Sequence, residues 1–191
     1  MLRYGYLAKA YKMARSLLNA LPRQRMNHMP RPLAELFYPR LYPAEIAQGL
    51  DSTGLSPYFV MGLMRQESIL DDQIQSPAGA RGLLQIMTYT GKELAKQVGY
   101  STFENDWLYN PLMGVQLGVH YVKSLYEEYG DLRYVLTNYN AGPKPTKRWI
   151  RTNGDKNWET QVEEVSYRET RDYVKKVLGN FWSYQMIWEG R

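Results

Sequence analysis

The 191-residue chain contains no cysteine, which excludes disulfides, thiol nucleophiles and thiolate metal sites. The compartment stays open, because a cysteine-free chain suits a reducing or an oxidising one. Histidine is almost as scarce. His28 and His120 are the only two, neither stands in a metal-ligand spacing, and both read as structural or surface residues. A Ser-His-Asp triad or a two-histidine zinc site therefore has few candidates, and no metal or cofactor is expected. There is no run of about 18 apolar residues, so no transmembrane helix is expected. An intact signal peptide is not seen either, since Lys9, Lys12 and Arg15 interrupt the place of its apolar stretch. A role outside the cytoplasm would put the export signal on residues beyond this chain. Acidic residues are scarce in the first 50 positions, which hold two Asp and Glu against eight Lys and Arg, while residues 51–191 hold seventeen against sixteen. The basic excess belongs to the N-terminal segment. It reads as a solvated helix face or a contact with an anionic surface, and the near-neutral remainder argues against nucleic acid as partner.

What the chain has in quantity is tyrosine and tryptophan, 17 and 5 of them, suited to cores and to faces that stack on sugar rings. The length fits one domain with a real core. Leu7, Ala10, Tyr11, Ala14, Leu18 and Leu21 follow helical spacing with Lys9, Lys12 and Arg15 mostly opposite, predicting a basic amphipathic helix. Pro22, Pro30, Pro32, Pro39 and Pro43 then mark a connector with a short helix at its end. Residues 1–40 are taken as this helix and connector, and 41–191 as the compact domain. Helices are predicted after Ser56-Pro57, after Asn110-Pro111 and from Asp131, each opened by a cap residue. Ser166 opens the last, which carries the apolar stripe Tyr173, Val174, Val177, Phe181, Tyr184 and Trp188. Gly114 and Gly118 would let another helix approach closely. Only the glycine-flanked stretch from Gly79 to Met87 suits a short β-hairpin. The expected class is mainly α, with that hairpin as its small β element.

Within the helix after Pro57, Val60, Leu63, Met64 and Glu67 share one face at spacings of three and four. A carboxyl facing the packed side loses solvation and stays protonated near neutral pH, as a general acid must. Spacing alone also allows a glutamate at the domain edge paired with Arg65 or Arg81.

The order of motifs goes further. Glu67-Ser68, Ser76, Gly79-Ala80, then Gly82-Leu83-Leu84-Gln85-Ile86-Met87, followed by Tyr139-Asn140-Ala141-Gly142 and by Glu169-Thr170-Arg171 ahead of Tyr173-Val174, resembles the signature of the soluble lytic transglycosylases. These enzymes of the lysozyme superfamily cut bacterial peptidoglycan. The resemblance covers about residues 40–188 and implies a lysozyme-like fold with the glycan in a groove beside the hairpin. It also implies one acid, Glu67, that protonates the oxygen between MurNAc and GlcNAc, then deprotonates the MurNAc 6-hydroxyl to give a 1,6-anhydro product. Thr88, Leu84 and Asn138 replace the family's usual proline, methionine and alanine. The large N-terminal helical superhelix of the family's longest members is not seen, and residues 1–40 resemble a remnant of it or a short substitute.

By the same resemblance, Ser76 lies near the substrate, Gln85 and Met87 line the groove, the Tyr139 hydroxyl reaches the acid site, Asn140 follows in the turn and Glu169 contacts the glycan. Local chemistry competes at each. Ser76 suits a Ser-Pro turn, Met87 a core position, Tyr139 the core, and Ser166-Tyr-Arg-Glu169 a capping box. Asp71 and Asp72 are near Glu67 in sequence and read as solvated loop acids, because hydrolases that use two carboxylates face them across the bond. The expected partner is the peptidoglycan glycan strand, with residues 1–40 as the candidate contact with a membrane surface or another protein. A monomer in the periplasm or cell envelope is expected. A muramidase of the same fold and a non-catalytic glycan-binding module remain the alternatives.

Overall fold

The computed structural model describes residues 2–19 and 29–190, without the side chains of 2–4 and 17–19. Leu18, Leu21, Pro22 and His28 lie, wholly or in their side chains, outside the described residues. The helices are α1 (Leu2–Asn19), α2 (Arg31–Phe37), α3 (Pro43–Gly49), α4 (Pro57–Ser68), α5 (Thr88–Gln97), α6 (Pro111–Tyr129), α7 (Leu132–Ala141), α8 (Pro143–Asn153), α9 (Trp158–Glu163) and α10 (Arg168–Glu189), with a 3-10 turn at Asn105–Tyr109. None of the described helices is long and apolar enough to cross a membrane.

Caps set where the central helices begin. Ser56 Oγ accepts from the Tyr58 amide with Pro57 at the first helical position, and Asn110 Oδ1 accepts from the Leu112 and Met113 amides ahead of α6. Asp131 opens α7 by accepting from the Arg133 amide. The helix α4 is buried on almost every side: Phe59, Val60, Met61, Gly62, Leu63 and Met64 are all enclosed. It packs along α10, where Phe59 meets Phe181 edge-on at 5.9 Å and Asn180 Nδ2 donates to the Gly62 carbonyl. That places Glu67 against Tyr173 of α10. Tyr11, Ala14 and Phe37, from the segment read as basic helix and connector, lie in the same core.

Two expectations are corrected. No strand forms among the described residues, and the predicted hairpin consists of isolated antiparallel bridges, Gln75 with Arg81 and Arg81 with Ile86. Arg81 and Ile86 exchange both backbone bonds, at 3.0 and 3.1 Å. Between them Gly82 and Gln85 take left-handed φ of 73° and 46°, so the chain reverses after one pair and no ladder extends. The second correction concerns α6. Its glycines face no α-helix: a Cβ on Gly118 would stand 2.2 Å from Leu84 Cδ1, and one on Gly114 3.1 Å from the carbonyl oxygen of Leu108 in the 3-10 helix. They seat the coiled segment around Leu84 and the 3-10 turn. This anchors the loop that faces α7.

Candidate active site

Glu67 occupies the last turn of α4, and its carboxyl is sunk between α4 and α10. Burial pushes its pKa up to about 7, partly offset by the Tyr173 hydroxyl, which donates to Oε1. Tyr173 is buried on α10, and its phenol is held far above its usual pKa by burial and by the Glu67 charge, so it stays a donor. Tyr139 is also near: burial first, then the Glu67 charge, holds its phenol well above the usual value. Its hydroxyl donates to the Leu84 carbonyl at 2.6 Å rather than to the acid. The group that reaches Glu67 is thus Tyr173, and Tyr139 instead ties α7 to the 82–87 loop. In the sequence Tyr173 stands out only as a member of the buried stripe and of the last motif. The available signal was a phenol on that stripe, since a buried hydroxyl needs a polar partner.

After Glu67-Ser68 the chain turns sharply. Ile69 and Leu70 are both left-handed, at φ 54° and 59°, a conformation that costs L-residues about 1–2 kcal/mol each. Asp71 follows. Its carboxyl would be raised by burial, but hydrogen bonds from Lys12 and from the Gln73 amide, with the Lys12 charge, hold it below the usual range. Asp72 Oδ1 accepts from Gln73 Nε2. Asp71 is thus held by Lys12 of α1 and by the Gln73 amide, and Asp72 by the Gln73 side chain within the loop.

The remaining sequence candidates fall into separate places. Gln85, Met87, Tyr139 and Asn140 line one cleft of about 320 Å³, together with Tyr89, Tyr121 and Asn138. The Gln85 amide nitrogen is committed to the Ile74 and Gly82 carbonyls, at 3.2 and 2.9 Å, leaving its oxygen for a ligand. Met87, half-buried at the start of α5, also lines a neighbouring cleft with Arg81 and Lys92. Thr88, at the first position of α5 where a proline is equally tolerated, accepts from Arg81. Asn140, expected in the turn, lies instead in the last turn of α7, and its Oδ1 accepts from Thr170 Oγ1 at 2.6 Å. Ser76 Oγ accepts from the Ala80 amide, and the Ser76 and Gly79 backbones close the same turn. Glu169 is exposed in the first turn of α10. The capping box is not formed: the helix starts after Tyr167 without a side-chain cap, and Ser166 Oγ accepts from Trp149 Nε1 instead. Among the described residues, no three of His, Asp and Glu converge where a metal ion would sit. His120 is a surface residue paired with Gln97.

A mainly helical domain with one desolvated carboxyl, a tyrosine hydroxyl upon it and a cleft alongside defines a class of lysozyme-like proteins. Residues 45–162 match the family model described as "Transglycosylase SLT domain", and the chain belongs to that family. It is 34% identical over 125 residues to the soluble lytic murein transglycosylase of Escherichia coli strain K12, covering 63% of this chain and 19% of that protein. Among solved structures, an inactive variant of the lytic transglycosylase Slt of Pseudomonas aeruginosa superposes with a TM-score of 0.77 at 25% identity, over 94% of this chain and 29% of that one. The 70-kDa soluble lytic transglycosylase of Escherichia coli superposes with a TM-score of 0.74 at 28% identity, over 80% and 25%. The chain spans about a fifth of the length of the first curated relatives it matches.

Proposed function

We propose that the chain is the catalytic unit of a peptidoglycan lytic transglycosylase that cleaves the MurNAc–GlcNAc β-1,4 bond, with Glu67 as its single general acid and base. The observation that carries this reading is the Glu67 carboxyl, pushed to about 7 by burial while Asp71 and Asp72 are taken up elsewhere. A proton held with a pKa near the working pH can be given and taken back with little penalty. In the first half of the reaction Glu67 protonates the glycosidic oxygen as its bond to the anomeric carbon breaks. In the second half the carboxylate removes the MurNAc 6-hydroxyl proton, and that oxygen closes on the anomeric carbon. Glu67 ends protonated as it began, and no water enters. The Tyr173 hydroxyl bonds best to the carboxylate, so it steadies the anionic stage.

On this reading the glycan runs along the cleft. Gln85 and Asn140 supply amide contacts, Met87 an adaptable apolar wall, and Tyr139 the floor beside the acid. Tyr89, 71% exposed at the cleft edge, offers a ring face to a sugar. Ser76 and Glu169 are the outer contacts. The place of action is the cell envelope, where the polymer is.

Digestion of isolated sacculi with the wild type and Glu67→Gln, read by mass spectrometry, tests the proposal. Anhydromuropeptides from the wild type and none from the variant are expected. Reducing-end products would make the protein a muramidase, and no products would make it a glycan-binding module.

A further inference from the structure

We propose that α1, which lies outside the matched residues 45–162, is a built-in brace for the acid, with Lys12 as a positioning residue that fixes the turn after Glu67. The inference rests on the transglycosylase reading, for it concerns how that reading's acid is held in place.

Two contacts from the N-terminal segment bracket Glu67 along the chain. On one side, the Arg65 guanidinium lies over the rings of Tyr11 (4.9 Å) and Tyr38 (4.3 Å) and donates to the Phe37 carbonyl. Tyr11 is only 2% exposed, so α1 is packed there. On the other side, Lys12 Nζ meets Asp71 Oδ2 at 2.7 Å, while Asp71 Oδ1 accepts from the Gln73 amide. Adjacent residues of α1 therefore grip positions 65 and 71.

What lies between explains the need. Ile69 and Leu70 reverse the chain through two successive left-handed conformations with no glycine to ease them. Such backbone persists only where surrounding contacts over-determine it. Leu70 is fixed in the core, and the Asp71 amide bonds the Ser68 carbonyl. Asp71 is the next point along, and its external tether is Lys12. Releasing it lets the last turn of α4 relax, and the Glu67 carboxyl loses its direction relative to the reacting bond. Misdirection of a proton donor lowers turnover more than binding. The basic, amphipathic character of α1, which by sequence suggested a contact with something outside the chain, is partly used within it.

The test uses the full chain carrying Lys12→Glu, Lys12→Arg, or Lys12→Glu with Asp71→Lys, followed by kcat and KM on solubilised glycan strands and by amide exchange at residues 68–73. Lys12→Glu is expected to lower kcat about three- to ten-fold with KM within about two-fold. It should also speed exchange at 68–73 while α6 keeps its protection. Lys12→Arg should keep wild-type behaviour, and the charge swap should restore it. Unchanged kcat and exchange in Lys12→Glu, or a loss that the swap does not recover, overturns the brace. A wild type without lytic activity would instead sink the transglycosylase reading, and the exchange measurement would still decide whether Lys12 holds the turn.

Discussion

The Tyr173 hydroxyl on α10 donates to Glu67 Oε1 on α4, joining residues 106 positions apart. Burial raises the carboxyl and this bond lowers it, so the two together set where the acid titrates. Removing the hydroxyl by Tyr173→Phe leaves burial unopposed. The high-pH limb of the kcat profile should move up by about one pH unit, and kcat near neutrality should fall about ten-fold as the carboxylate stage loses its donor. A profile superimposable on the wild type would show that the bond plays no part in turnover.

The same raised pKa predicts a stability effect. Glu67 binds its proton up to about pH 7 in the folded chain but only to about 4.5 when unfolded. Its favourable contribution is complete below 4.5 and is lost as pH rises through 7, by about 3 kcal/mol in all. Glu67→Gln carries no charge to bury. Its Tm should exceed the wild type's by several degrees at pH 8, with the advantage shrinking or reversing at pH 4.5.

Tyr139→Phe strands the Leu84 carbonyl, now bonded at 2.6 Å. A loss of about 1–2 kcal/mol in urea denaturation is expected. Because Tyr139 tethers the loop bearing Gln85 and Met87, KM for glycan should rise while the high-pH limb stays in place.

Gly82→Ala should be among the most damaging single changes in the domain. Its Cβ would stand 1.9 Å from the Leu108 carbonyl oxygen at φ 73°, where neither backbone can yield cheaply. A loss above about 3 kcal/mol, or failure to fold, is expected by thermal melting. Gly142→Ala would meet open space, but φ 83° with ψ 175° is a conformation that essentially only glycine adopts, and the change should cost about 2–3 kcal/mol.

Glu169→Ala discriminates between the two roles its sequence context suggests. With no capping bond to lose, stability should change by less than about 0.5 kcal/mol. A rise in KM at unchanged stability would mark it as a glycan contact.

Much of this is legible in the sequence. Ser56-Pro57, Asn110-Pro111 and Asp131 announced their helices because caps are local chemistry, decided within a few residues of chain. The spacing of Val60, Leu63, Met64 and Glu67 placed the carboxyl on the packed face, and the ordered motifs named the family. The Ser166–Glu169 pattern misled, since Trp149, distant in sequence, claims the Ser166 hydroxyl. Gly114 and Gly118 announced a close approach, but the expected helix neighbour is, at Gly118, the Leu84 side chain of a turn.

The sequence by itself determined the helical class, because periodicity and local caps are properties of short segments, and its ordered motifs carried the resemblance to the family in which Glu67 is the acid. Tertiary structure decided which tyrosine meets the acid, since Tyr139 and Tyr173 are both buried phenols and only the packing of α10 along α4 brings one of them to Oε1. It also decided that α1 reaches Asp71, and that the glycine-rich stretch makes bridges rather than strands. Each of those outcomes depends on a contact between distant segments, and no local pattern carries the geometry that completes it.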